Sequence, residues 1–400
     1  MPLPIACVKK YNEIGLSLNE RKYGISSPKN MVYLGHRFRM DSKGFIITAA
    51  DDSARGTYYT WRQSQIRNTH RTIDLLSDGI LRKSDFSLLF ETSEHSTSIP
   101  QNATDCINIY SSVIFDSGFL ERALESRIYV NVFDKHGDLI GRFLPNTALH
   151  APLLTYTQLQ QYYNDGERLA LAAQFVLASL HNCVLNIRYH HKQKPDPYYA
   201  EALSRIADLK KKIRACTTLD GLLMLEAQVR NAYYGCFDRF IAGSAFRFEK
   251  RSRRPPMNEV NAMISFGNTV LYNQFANRIN RTALDIRIGF LHAAGAAREE
   301  SLNLDIAEIF KPLIIDRVIF ALINRRAIAE HHFTRENNGG VYLTSEGKSI
   351  FIRAIYAKLD EQITVQDRTH TYNMLLDEEV RKLLRHFRSG EAYKAYRQVR

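Results

Sequence analysis

Two hydrophobic periods divide the chain. From Val32 to about Pro145, apolar and polar residues alternate with period two, which predicts strands, and beyond Pro145 and Pro152 the period becomes 3.6, which predicts helices. Val32, Leu34, Phe38 and Met40 alternate with polar partners. Phe45 and Ile47 follow a Ser42-Lys43-Gly44 turn, as a hairpin requires. Further strands are expected at Ile107–Ile109, Val113–Phe115 and Ile128–Phe133, with a short helix from Phe119 to Ser126. The turn signal Asp134-Lys135-His136-Gly137 then leads into a paired strand at Leu139–Arg142. In the second half, Leu169, Ala172, Ala173, Val176, Leu180, Val184 and Ile187 fall on one helical face. A helix over Arg205–Arg214 turns Ile206, Leu209 and Ile213 inward, and Thr217, Thr218 and Asp220 offer N-caps for a helix running past Glu226 to Ala242. Helices resume over Asn258–Gln274, Asp305–Glu330, Ser345–Gln362 and Glu378–Arg397. The expected fold is α+β: an N-terminal β-rich, sandwich-like domain over residues 31–150, then an all-α domain over 151–400. Residues 1–30, polar and aperiodic, form an extension outside both cores. No repeat of a solenoid appears.

Length agrees with two cores, since 400 residues exceed what one core usually fills. Charge narrows the partners: 54 Lys+Arg against 42 Asp+Glu give +12, a balance suited to phosphates or to an anionic membrane. A membrane span is not expected, because the apolar run Leu313–Ile323 is cut by Asp316 and Arg317, where a spanning helix needs about 20 apolar residues. Lys9, Lys10 and Glu13 occupy the place of a signal peptide's apolar region. Five scattered cysteines without a C-x-x-C pair speak against a disulfide framework or zinc ribbon and for a reducing, cytoplasmic setting.

Several motifs fail on inspection. Gly347-Lys348-Ser349 resembles the end of a phosphate-binding loop, but the glycine required at position 342 is Tyr342. His190-His191 and His331-His332 are neighbours, which point about 100° apart on a helix and cannot grip one metal together. No G-x-S-x-G nucleophile is present.

What remains is His292, at the end of the apolar run Ile288–Leu291, with Asp305 and Glu308 three residues apart on one helical face. Taken alone, an acidic pair on a helix describes a solvated face, and a lone histidine after an apolar run a satisfied structural residue. Glu226 adds a third acid, with Arg230 one turn later and Tyr233 another turn on, both candidate phosphate contacts. Arg247, Lys250, Arg251, Arg253 and Arg254 form the densest basic cluster, closed by Pro255-Pro256. It reads as a DNA-backbone contact or as a solvated loop. Lys210–Lys212 remain open between solubility and distal DNA contact. Asn182, Asn258 and Asn261 are either polar site positions or buried hydrogen-bonding groups. Tyr110, Phe115 and Phe133 are expected in the core, and Asp316-Arg317 as a helix ion pair.

The sequences Arg253-Arg254-Pro255-Pro256-Met257-Asn258-Glu259-Val260-Asn261, Gly289-Phe290-Leu291-His292, Leu304-Asp305-Ile306-Ala307-Glu308, Pro312-Leu313-Ile314-Ile315-Asp316-Arg317, Asn324-Arg325 and Gly339-Gly340-Val341-Tyr342-Leu343 occur in one order and spacing. With Ile107–Phe115, Ile128–Asp134 and Gly141-Arg142, they make the chain resemble the CRISPR-associated spacer-acquisition integrases from about Met31 to the end. Ala227 stands where many members have glycine, and the first thirty residues have no counterpart. The resemblance implies a metal-dependent DNA endonuclease and integrase, in which the 3′-hydroxyl of incoming DNA attacks phosphodiesters at the edges of a CRISPR repeat. It places the metal ligands on Glu226, His292 and Glu308, with Asp305 second in rank. Two carboxylates and an imidazole, without thiolates, independently suit Mg²⁺ or Mn²⁺. The implied partners are double-stranded DNA (prespacer and repeat), a second copy of the chain through the β-domains, and a small ferredoxin-like companion protein, with no membrane. Two other readings stay open: a repair endonuclease of branched DNA, and a non-catalytic nucleic-acid-binding scaffold.

Overall fold

The computed structural model describes residues 32–33, 36–41, 44–49, 71–84, 87–145, 152–292, 299–365 and 367–399. The chain divides into two compact units, Met1–Thr69 and His70–Arg400. In the first, strands β1 (Val32–Tyr33), β2 (His36–Asp41) and β3 (Gly44–Ala49) form an antiparallel sheet in that order. The expected hairpin is there, with Met40 opposite Phe45 and Asp41 opposite Gly44. Ser42, Lys43 and the first thirty residues, Cys7 among them, lie outside the described residues.

The second unit opens with two four-stranded sheets. One runs β11 (Leu139–Phe143), β10 (Tyr129–Phe133), β8 (Thr104–Ile109), β4 (Arg71–Leu75); the other runs β7 (Ser96–Ile99), β6 (Leu88–Glu91), β5 (Gly79–Lys83), β9 (Val113–Phe115). They enclose a small core of Leu81, Leu88, Ile107, Ile128 and Val130, closed by Phe119 and Ala123 of helix α1 (Ser117–Glu125). The fold class is therefore α+β as the periodicity indicates. Sequence reading missed β4 to β7, whose strands are four or five residues long and carry little alternation. The β10–β11 turn demands glycine: Gly137 has φ +92°, and a Cβ there would stand 2.5 Å from the Phe266 ring. That turn docks the sheet onto the helices, where Tyr110 and Phe133 stack at 4.4 Å and join the large helical core.

The helical part comprises α2 (Pro152–Tyr163), α3 (Asp165–Gln193), α4 (Pro197–Arg214), α5 (Leu219–Tyr234), α6 (Phe237–Phe240), α7 (Glu259–Ile279), α8 (Leu302–Phe310), α9 (Arg317–Asn324), α10 (Ser345–Leu359) and α11 (Tyr372–Ser389). Thr218 caps α5 by accepting from Gly221 N–H at 3.2 Å, and Asn258 caps α7 through Asn261 N–H at 2.9 Å. Three expectations are corrected. Asp305–Glu330 is not one helix, because Pro312 breaks it into α8, a π-turn over Pro312–Asp316, and α9. Two hairpins, β12 (Phe333–Arg335) with β13 (Val341–Leu343) and β14 (Gln362–Val365) with β15 (Arg368–Thr371), interrupt the helices. The last helix begins at Tyr372 and ends at Ser389, where Gly390 with a φ of +69° makes a left-handed cap. Among the described residues one helix, α3, is long and apolar enough to cross a membrane by length and composition. Its Leu171, Phe175, Val176, Leu180, Cys183 and Ile187 are instead buried in the core.

Candidate active site

Helix α5 presents Glu226 and Arg230 one turn apart, so their side chains meet: Arg230 Nε donates to Glu226 Oε1 at 3.3 Å. The same guanidinium reaches across to α8, where it donates to Glu308 Oε2. Lys311 Nζ holds the other oxygen of Glu308 and lies 4.8 Å from the centre of the Tyr272 ring. Burial alone would raise the Glu308 carboxyl, but Arg230 and Lys311 outweigh it and hold it well below the usual carboxylate range. Burial likewise works against Lys311, and Glu308 more than restores its charge. Two acids from different helices thus meet one buried guanidinium, and Glu308 is kept ionised by it and by Lys311.

His292 reaches this place through a loop pinned at several points. Ser301, at the start of α8, accepts from Gly289 N–H at 2.8 Å and donates to Arg287 O at 2.7 Å. Gly289 is required by closeness, since a Cβ would fall 2.7 Å from Ser301 Oγ and from the His292 carbonyl. Asp305, fully buried, accepts from the N–H groups of Phe290 (2.5 Å), Leu291 (2.9 Å) and His292 (2.9 Å). It also meets His292 Nδ1 at 2.9 Å, which leaves Nε2 as the ring nitrogen not committed to Asp305. Burial lowers the imidazole's affinity for protons, yet the Asp305 bond together with the negative charges of Asp305 and Glu308 outweighs it and the pKa is raised.

Asp305 and Glu308 therefore divide the work. Asp305 is turned inward and orients the histidine, which removes it from the second-rank ligand position; Glu308 faces the cleft. Glu226, His292 and Glu308 line one cleft of about 1380 Å³, together with Arg142, Lys311, Arg251, Arg253 and Arg254. Among the described residues, no three His, Cys, Asp or Glu side chains stand close enough together to hold one metal ion. The oxygens of Glu308 are taken by Arg230 and Lys311 instead.

The candidate DNA contacts separate. Arg253 and Arg254 are exposed at the cleft. Arg247 and Lys250 are exposed but do not line it. Arg251 braces its own loop, donating to Asn261 Oδ1 at 2.9 Å and Ser265 Oγ at 3.0 Å. Tyr233 is fully buried and its hydroxyl accepts from Asn186 at 2.8 Å, so it is a seam residue between helices and not a phosphate contact. Asn182, Asn258 and Asn261 are all hydrogen-bonding groups inside the fold. The expected Asp316–Arg317 pair is absent: Arg317 donates to Asn186 and Tyr372, while burial pushes Asp316 up to about 6.

Two residues without an assigned role in the sequence complete the cleft. Lys311 was signalled only by its i,i+3 spacing from Glu308. Arg142 bridges the β-sheet to the start of α8: it donates to Glu300 at 2.9 and 3.0 Å, to Asn131 at 2.7 Å, and to Asn273.

The family model of CRISPR associated protein Cas1 matches residues 75–387. A CRISPR-associated endonuclease Cas1 of Thermodesulfovibrio yellowstonii is 35% identical over 328 residues, covering 82% of this chain and 98% of that protein. The structure of a Cas1 protein from Thermotoga maritima superposes with a TM-score of 0.72 at 32% identity, over 82% of this chain and all of that one. A casposase bound to integration product shares the fold, with a TM-score of 0.67 at 20% identity, over 83% of this chain and 96% of that one. On the family match and these identities, the chain belongs to the CRISPR-associated Cas1 family.

Proposed function

We propose that the protein is a cytoplasmic, metal-dependent DNA endonuclease and integrase of CRISPR adaptation, joining the 3′-hydroxyl of incoming DNA to phosphodiesters at the edges of a repeat. One observation carries this reading: Glu226, Glu308 and His292, from three separate segments, open into one cleft bordered by the exposed Arg253 and Arg254. Two carboxylates and an oriented imidazole, with no thiolate lining the cleft, are the donor types that Mg²⁺ or Mn²⁺ takes, and to hold one ion the three would have to draw closer, with Glu308 released by Arg230 and Lys311. Glu226, His292 and Glu308 would hold the ion, which supplies Lewis-acid activation of the phosphodiester and of the attacking hydroxyl. Asp305 keeps the imidazole in one orientation, and Arg253 and Arg254, exposed at the same cleft, bind backbone phosphates of the DNA. In joining, one P–O bond forms to the incoming 3′-oxygen as another breaks, and the hydroxyl proton passes through solvent to the leaving oxygen. Ile114 and Ile140, on edge strands β9 and β11, are more than two-thirds exposed, which supports self-association of the β-domains as a homodimer. The further partner in this reading is a small ferredoxin-like companion protein.

A prespacer duplex ending in a 3′-dideoxy nucleotide tests the reading. It should bind normally, since phosphate contacts dominate affinity, and fail to be joined, while the hydroxyl-ended duplex is joined. Equal cleavage with both duplexes would indicate a branched-DNA repair nuclease using water. The capture of Glu308 by Arg230 and Lys311 favours a second reading, a scaffold without catalysis. Such a scaffold binds DNA equally with or without divalent metal and joins nothing.

A further inference from the structure

The turn following Glu308 is wider than an α-helical one. Pro312 has no N–H to return to the Glu308 carbonyl, and the chain passes through a π-turn in which Asp316 N–H donates to Lys311 O at 3.1 Å. Widening strands carbonyls, and two buried asparagines one turn apart on α3 take them up. Asn182 Nδ2 donates to Ile309 O at 2.8 Å, and Asn186 Nδ2 to Pro312 O at 2.7 Å. Each asparagine oxygen is held in turn. Arg317 Nε donates to Asn186 Oδ1 at 2.8 Å, and the backbone N–H of Gln398 to Asn182 Oδ1 at 3.2 Å. Gln398 closes the ring, because its Oε1 accepts from Arg317 at 3.0 Å and from the Tyr372 hydroxyl at 3.2 Å. Two residues earlier Tyr396 stacks flat on Phe310, with ring centroids 5.7 Å apart. The segment is fastened at its start by Glu379, which accepts from the Tyr393 hydroxyl and from Tyr396 N–H. A stretch without helix or strand therefore ends on the two residues that follow Glu308.

We propose that Tyr393–Gln398 is a positioning strap for the reaction centre, fixing Glu308 and Lys311 through Phe310, Asn182 and Arg317 without touching DNA. The inference rests on the reading of Glu308 as a reaction-centre carboxylate. The test uses the full chain carrying Gln398→Ala, which removes the acceptor for Arg317 and Tyr372, and Gln398→Glu, which keeps it. Tyr396→Ala removes the stack; Tyr396→Phe keeps it and deletes only a hydroxyl buried without a hydrogen-bond partner among the described residues. Two readouts are taken: hydrogen exchange of the amides from Ile309 to Asp316, and joining kinetics alongside DNA affinity.

For Gln398→Ala and Tyr396→Ala the strap requires roughly tenfold faster exchange in that turn and roughly tenfold slower joining at saturating DNA, with KM and DNA affinity within about twofold of wild type. Gln398→Glu and Tyr396→Phe should behave as wild type. Unchanged exchange, faster exchange with full joining, or a loss of DNA affinity matching the loss of rate would each overturn the strap. Should Tyr396→Ala fail to fold, Gln398→Ala, which removes only one amide, decides alone. If the wild-type protein itself joins nothing, the proposed function falls, and the exchange arm still shows whether the segment holds the turn.

Discussion

Asp305→Asn separates the orientation of His292 from its mere presence. In the native arrangement one carboxylate oxygen takes the Phe290 and Leu291 N–H groups, and the other takes the His292 N–H and ring Nδ1, all within 2.9 Å and away from solvent. An amide offers one acceptor oxygen. With that oxygen on the Phe290 and Leu291 pair, its NH₂ confronts the His292 N–H and the ring. The ring can answer by moving its proton from Nδ1 to Nε2, whereas the backbone N–H cannot and is left buried without an acceptor at about 1–3 kcal/mol. Loss of charge assistance on the two remaining bonds adds about 1 kcal/mol, so the variant should lose about 2–4 kcal/mol in urea unfolding. The tautomer change also places a proton on the nitrogen that Asp305 leaves uncommitted, and joining should fall about 10–100-fold. Nitrogen-15 NMR of labelled histidines, assigned against His292→Ala, reads the tautomer directly. Full stability with the proton still on Nδ1, or wild-type joining with it on Nε2, would refute the reasoning.

Glu226→Ala and Glu308→Gln should each reduce joining at least about 100-fold in Mg²⁺ or Mn²⁺. Only Glu308→Gln should also cost about 3–5 kcal/mol in unfolding, since it leaves Arg230 and Lys311 buried without their carboxylate; equal stability losses would contradict that pairing. Neutralising Arg253 and Arg254 together should flatten the salt dependence of DNA binding by up to about 1.8, at roughly 0.9 per phosphate contact, while neutralising Arg251 should change the slope less, because its guanidinium already donates to Asn261 and Ser265. Asp74, bonded to Asn108 at 2.8 Å and Tyr356 at 2.7 Å, is pushed by burial up to about 6. Its folded pKa lies above the unfolded value, so the stability linked to its proton is present at low pH and is lost as pH rises through about 4 to 6. At about 1.4 kcal/mol per pKa unit, this is at most about 3 kcal/mol for a half-buried group. Asp74→Asn should therefore be more stable than wild type at pH 8 and show a flatter profile from pH 4 to 6; the opposite order in urea unfolding would count against the shift.

Local spacing made part of the site legible. Glu226 and Arg230 are one turn apart in sequence, and one turn is all their contact requires; Thr218 announces its helix because an N-cap bonds only two or three residues ahead. Contacts between distant segments carry no such mark. Nothing near Arg230 tells that Glu308, on another helix, completes its pairing, and nothing near Tyr233 tells that Asn186 buries its hydroxyl. Arg251 looks no different in sequence from Arg253, yet its guanidinium braces Asn261 and Ser265 while Arg253 is exposed at the cleft. The β-hairpins after α9 escaped detection because three or four residues of alternation fit a helix nearly as well. Asp305 and Glu308 show the limit most clearly. An i,i+3 pair lies roughly 60° apart around a helix axis, close enough to share a face in a pattern and far enough for one carboxylate to enter the 290–292 loop while the other enters the cleft. Which one turns inward depends on where that loop offers its N–H groups. Gly289 and Ser301 set that position by packing against each other, from opposite ends of a segment whose sequence gives no sign of the contact.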